Sequence, residues 1–271
     1  MNNTAAPSGQ AFVKVGNWTR EQSLLAFRFY CETPFGQLHA KNKRVIELAN
    51  LIGRTPSALA MKCVNFASLD PAMRASGRSG LSNASAMDKQ IWGECHANWD
   101  QLLEECAALE VHLLQGQALE SVSLADDALS AEPDFAGETR KVWQQQRVKQ
   151  HFFRRAVLSG YGGRCCISGV SDTRFLVASH IVAWKDDAAI RLHPGNGLCL
   201  SVIHDKAFDQ YLFSLTDDHR IILSRQLETT QDTFLQQVFW PSSGQPIALP
   251  ERFAPEPAFI ERHRKHMALQ A

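Results

Sequence analysis

Apolar residues in the first third of the chain recur at helical spacing. In 19–31, TREQSLLAFRFYC sets Leu24, Leu25, Phe27 and Phe29 among polar positions, with Thr19 placed to cap the helix. In 42–52, Val45, Ile46, Leu48, Ala49 and Ile52 form one stripe that Gly53 closes. A further helix starts at once, with Thr55 as N-cap and Pro56 at the first position. Leu59, Cys63 and Phe66 lie on its core face, and Ser57, Lys62 and Asn65 are expected in solvent. Helix, glycine turn and capped helix make a helix-turn-helix plan. Residues 70–83, DPAMRASGRSGLSN, are poor in apolar residues and predict an exposed loop. Periodicity returns over 88–114 with Ile91, Trp92, Trp99, Leu102 and Leu103, read as one helix, and fades over 115–138.

Beyond that gap the pattern changes. Residues 139–158 predict a basic helix carrying Arg140, Lys141, Arg147, Lys149, Arg154 and Arg155. GYGGRCCISGVSDTRFLVASHI predicts loop, short strand, turn and second strand. The loop WKDDAAIRLHPGN leads to GLCLSVIHDKAFDQ, a brief strand and a helix. YLFSLTDDHRIILS predicts a hairpin turning at 216–219, and 256–268 a last helix. The expected fold is a mixed one in two domains: an all-α helical region over 11–115, an acidic linker over 116–138 and an α+β region over 139–271.

Composition fits a chain that forms cores: 271 residues, 45% hydrophobic and 21% charged. No apolar run approaches the ~20 residues of a membrane span, and MNNTAAPSGQ lacks the pattern of a signal peptide, so a cytoplasmic protein is expected. The seven cysteines (31, 63, 95, 106, 165, 166, 199) include no pair at C-x-x-C spacing, which points to reduced, buried thiols rather than disulfides or a four-Cys zinc site. The balance of 28 Lys+Arg against 28 Asp+Glu hides blocks. Residues 11–89 hold 11 basic and five acidic residues, 90–138 hold none and eleven, and 139–185 hold nine and one. Two basic blocks around an acidic one suit two modules that both meet a polyanion.

The candidate chemistry lies in the second basic region. His180 is expected at a strand end, where a neutral imidazole can take a proton from water. Asn196 is expected in a bracing loop, with an amide able to hold crossing backbone or the imidazole. His204 is expected on the first turn of the following helix, placed to hold a divalent metal at a scissile phosphate. His193, His219, His263 and His266 are read as structural or solvated.

Residues 161–213, with YGGRCCISG, ASHIVAW and HPGNGLCLSVIHDKAFDQYLFSL, resemble the HNH endonucleases, the ββα-metal or His-Me finger family, in its branch without zinc-binding cysteine pairs. The resemblance implies His180 as general base, Asn196 as the middle Asn, His204 as the metal-binding His, Mg²⁺ or Mn²⁺ as cofactor, and 5′-phosphate and 3′-hydroxyl products. Many members carry Asp or His before the base as a second ligand. Here that position is Ser179, which leaves Asp205 or Asp209 as helpers, with Asp209 off the face of His204.

The layout also resembles modification-dependent, type IV restriction endonucleases, some of which read phosphorothioate DNA through a helical sulfur-binding domain. The implied partner is double-stranded DNA carrying a modification, with two chains acting as a homodimer for a double-strand cut. Arg54, Ser57, Lys62, Asn65, Arg74 and Arg78 are residue types that read base edges and phosphates, and Tyr30 with Pro34, Phe35 and His39 offers apolar atoms for a sulfur. Arg154, Arg155 and Arg164 are expected to hold the DNA backbone at the nuclease. Deletion of 1–115 is expected to leave a weak, unselective nuclease. The alternatives are a site-specific or homing HNH nuclease cutting unmodified DNA, and a DNA-binding regulator on a degenerate nuclease fold.

Overall fold

The computed structural model describes residues 16–75, 83–116 and 138–269, the side chains of 114–116 and 138–145 excepted. The expected linker and Arg78 therefore lie outside the described residues, wholly or nearly so. Helix α1 (Arg20–Glu32) begins in a capping box, in which the Thr19 hydroxyl accepts the Gln22 N–H and the Gln22 side chain accepts the Thr19 N–H. Helix α2 (Lys43–Leu51) ends before Gly53, whose φ of 68° supplies the left-handed turn into α3 (Pro56–Ala67). The helix-turn-helix plan is thus present in the backbone.

Three local expectations change. The 70–83 stretch is not all loop, because α4 (Pro71–Ala75) buries Met73, and Asp70 is buried beside it. The single helix expected over 88–114 is two, α5 (Ala86–Ala97) and α6 (Trp99–Gly116). They break at Asn98, which is extended and whose side-chain oxygen accepts the Gln101 N–H at 3.1 Å. The short strand expected near Cys165 is a turn, closed by Gly169 N–H donating to the Cys165 carbonyl and Cys165 N–H to that of Val170.

Helix α7 (Glu138–Gly160) underlies a hairpin of β1 (Leu176–His180) and β2 (Gly197–Ser201), which pair antiparallel with His180 opposite Gly197. Helix α8 (Val202–Asp209) follows β2 directly and packs on both strands. Strands β3 (Phe213–Leu215) and β4 (Ile221–Leu223) form the expected second hairpin. Two helices the pattern did not announce, α9 (Arg225–Glu228) and α10 (Thr233–Phe239), precede α11 (Pro257–Leu269).

One continuous apolar cluster runs from Leu24 to Ile260. Trp99 of α6, 1% exposed, packs on Phe152 of α7, and Phe253 stacks on Trp92 of α5. The Phe253 N–H donates to Asp70, which also accepts from the Tyr30 hydroxyl. All seven cysteines are free and buried, as expected. Among the described residues no helix is long and apolar enough to cross a membrane.

Candidate active site

The β1–β2 hairpin and α8 bring the three candidate residues to one corner. Asn196, fully buried, closes a short 3₁₀ turn before β2 and clamps the chain leaving β1. Its backbone carbonyl accepts the Ile181 N–H at 2.9 Å, its Oδ1 accepts the Val182 N–H at 2.8 Å, and its Nδ2 donates to the Val182 carbonyl at 3.0 Å. Of the two jobs open to this amide in the sequence, it holds the backbone. His193 caps the same turn, its Nδ1 accepting the Gly195 N–H at 3.0 Å. His263 is buried against Phe208, with which it stacks at 3.7 Å.

His180 stands where that clamp begins. Its ring stacks on Phe153 of α7 at 3.9 Å and 10°, and Trp184 meets it edge-on. Its Nε2 lies 2.9 Å from the Arg191 carbonyl. A carbonyl only accepts, so Nε2 carries the hydrogen and Nδ1 keeps the lone pair. Burial pushes the imidazole pKa below the usual 6.5, and the Arg191 carbonyl opposes that only in part. The result is an oriented imidazole whose neutral form is favoured.

His204 is turned inward. It is 4% exposed, its Nδ1 lies 2.7 Å from the Ser201 hydroxyl, and its ring packs against Phe239. The Cys165 thiol hydrogen-bonds to it as well; burial pushes that thiol up, but His204 and the amides around Ser168 outweigh burial and bring it down to about 6. A ring engaged with Ser201 and Cys165 does not fit the metal-ligand role expected of it, which needs a lone pair facing an ion.

The next residue does fit. Asp205 is half-buried against the Ser179 hydroxyl; burial raises its carboxyl pKa, while Ser179 and Lys206 pull it back. Asp209 follows one turn later on the same face of α8, its pKa raised by burial and by Asp205. Asp205 and Asp209, with a hydroxyl from the residue before His180, are the oxygen donors this corner offers a hard divalent cation; among the described residues no group of three His, Cys, Asp or Glu side chains converges as a metal site. Spacing counted from His204 sets Asp209 off-face; counted from Asp205 it is i+4. That pair was the available sequence signal.

The expected DNA-contacting residues divide. Tyr30 is fully buried, and Lys62 is 5% exposed, with Nζ 2.6 Å from Asp88 and lying over the Trp18 ring. Their expected accessibility is corrected: α5, α4 and the 252–253 segment form a second layer over faces that a single-helix period leaves in solvent. Arg54 is engaged by the Gly16 and Asn17 carbonyls and by Gln22, and Arg154 by the Leu176 and Thr173 carbonyls. Arg74 bonds to the Ser68 and Leu69 carbonyls but stays exposed. His39, Ser57 and Arg164 are exposed and Asn65 is half-buried. Arg155 reaches toward Glu32.

No curated protein matches the chain. Residues 165–216, from the first of the paired cysteines to the residue after β3, match the model of the HNH endonuclease family; the match covers His180, Asn196 and Asp205 and supports a nuclease acting on DNA.

Proposed function

We propose that the chain is a metal-dependent endonuclease that hydrolyses DNA phosphodiesters, with His180 as general base. The observation that carries this is the Nε2 contact to the Arg191 carbonyl, which leaves a neutral Nδ1 able to take a proton from the attacking water. Asn196 fixes the loop that follows the base. Asp205 and Asp209 are the residues that would hold a divalent ion, with Ser179 beside them and His204 positioning α8 from within. Mg²⁺ or Mn²⁺ bound there would supply positive charge to the scissile phosphate and the leaving oxygen.

A second, finer reading is restriction of modified DNA, phosphorothioated DNA among the candidates. It is favoured by the α2–α3 helix-turn-helix, which leaves Ser57 and Met61 exposed on α3 and His39 before α2. The test is cleavage of matched unmodified, base-methylated and phosphorothioated plasmids in Mg²⁺ or Mn²⁺ and with chelator. His180→Ala and Asp205→Asn are run alongside. Metal-dependent cutting that both substitutions abolish, with DNA binding by His180→Ala retained, is expected. Persistent cutting by His180→Ala sinks the base assignment, and equal cutting of all three plasmids sinks the restriction reading alone.

A further inference from the structure

Three arginines from three helices converge on Glu32 at the end of α1. Arg28 makes the short contact, Nε to Oε1 at 3.0 Å, and also reaches Glu110 at 2.7 Å. Arg44 of α2 and Arg155 of α7 share the other oxygen, Oε2, at 3.8 and 3.4 Å. Both distances exceed the roughly 2.7–2.9 Å of a good charge-assisted hydrogen bond. Glu32 is nearly buried at 6%, while the two arginine side chains are 39% and 35% exposed. Two guanidinium forks thus present donors to solvent around one carboxylate that Arg28 already occupies.

The surroundings raise the cost of that arrangement. Lys43 and Arg44 are the first two residues of α2, whose first turn holds no acid. Cations there oppose the positive end of the helix dipole, where an anion is favoured. Arg44 also sits close enough to Arg155 that burial, and then that neighbour's charge, lower its pKa. The sequence from 39 to 44, HAKNKR, adds Lys41 and no acid. Glu32 and Glu47 offset part of this charge, and the outward-facing fork pair of Arg44 and Arg155 matches the oxygens of a phosphate.

We infer that Arg44 and Arg155 form a clamp for a DNA backbone phosphate, bridging the helix-turn-helix and the helix beneath the catalytic base. The inference rests on the nuclease reading above. Helix α7 carries both Phe153, under His180, and Arg155, two residues on and about 200° round the helix. The clamp and the base are therefore fixed on one rigid element, so that a duplex gripped at Arg155 is held in register with the cleavage site.

The test is equilibrium binding of a 20-base-pair duplex to the full chain carrying His180→Ala, measured over a range of salt concentrations. Each neutralised phosphate contributes about 0.9 to the slope of log K against log salt. Arg44→Gln and Arg155→Gln are each expected to lower that slope by about one. Lys265→Gln on α11, which removes a charge from the Glu261 pair, is expected to leave it unchanged. Arg44→Lys and Arg155→Lys keep the charge facing Glu32 and so guard against misfolding. They are expected to keep the slope and bind several-fold more weakly, because the fork is lost. Unchanged binding in all four clamp variants overturns the clamp while leaving the nuclease reading intact. Equal losses from Lys265→Gln also overturn it, since net charge alone would then explain the effect. Failure of the parent chain to bind duplex at any salt concentration overturns both.

Discussion

In the proposed role of base His180 must hold a neutral ring, and its setting favours that form. Stacked on Phe153 and flanked by Trp184, the imidazole loses hydration that an imidazolium needs, which lowers its pKa from 6.5. A base with a lowered pKa is unprotonated through neutral pH and loses activity only on the acid side. The acidic limb of kcat/KM is therefore expected below pH 6.5, with a flat region above it from this group. Phe153→Ala would open the ring to water and is expected to shift that limb upward, toward the ordinary histidine value. A limb at or above 6.5 in the parent protein, or one that Phe153→Ala leaves in place, would contradict the assignment of His180 as a base tuned by burial.

At the scale of elements, the site depends on how closely α7 approaches the hairpin. Gly197 lies opposite His180 in the β1–β2 register, and a Cβ there would come within 2.3 Å of Val157 Cγ2 and 2.9 Å of Phe153 Cζ. Gly197→Ala must push α7 off the strand and carry Phe153 away from the His180 ring. An overpacking cost of about 1–3 kcal/mol is expected by urea denaturation, together with a fall in turnover. Gly36→Ala, where a Cβ meets nothing within 4 Å, serves as the control for both readings. An alanine at 197 that changes neither stability nor turnover would show that the close approach is not needed.

Gly197 also marks the limit of what the sequence discloses. Signals carried by neighbouring residues were legible: Thr19 and Thr55 as caps, Gly53 as a turn, the 216–219 hairpin, and a strand ending at His180 with Asn196 in the loop before the next strand. Features created by a second layer were not. Lys62 reads as a solvent residue until α5 places Asp88 over it, and His204 reads as a ligand until Ser201 and Cys165 take up its ring. Helical period assigns a residue to one face of its own helix but says nothing about what later covers the other faces.

For the whole molecule, the decisive question is whether residues 139–271, which include the segment matching the HNH family, hold their shape without the helices before them. Asp100 of α6 pairs with Arg191, the residue whose carbonyl orients His180, and with Lys149 of α7. Trp99 packs on Phe152 and His193, and Tyr30 and Trp92 receive Phe253 from the far end of the chain. Removing the first 138 residues would expose these rings together and release the loop that carries Arg191. Residues 139–271 alone are therefore expected to bind a hydrophobic dye, unfold without a cooperative transition and lose cleavage, rather than to persist as a weak, unselective nuclease. Asp100→Ala in the full chain isolates the bracing contribution: the fold should persist, since both ion pairs are partly exposed, while kcat falls several-fold with KM little changed. A fragment that melts cooperatively and cuts DNA at the parent rate would show that the helical region contributes binding alone, and that the loop holding His180 needs no support from Asp100.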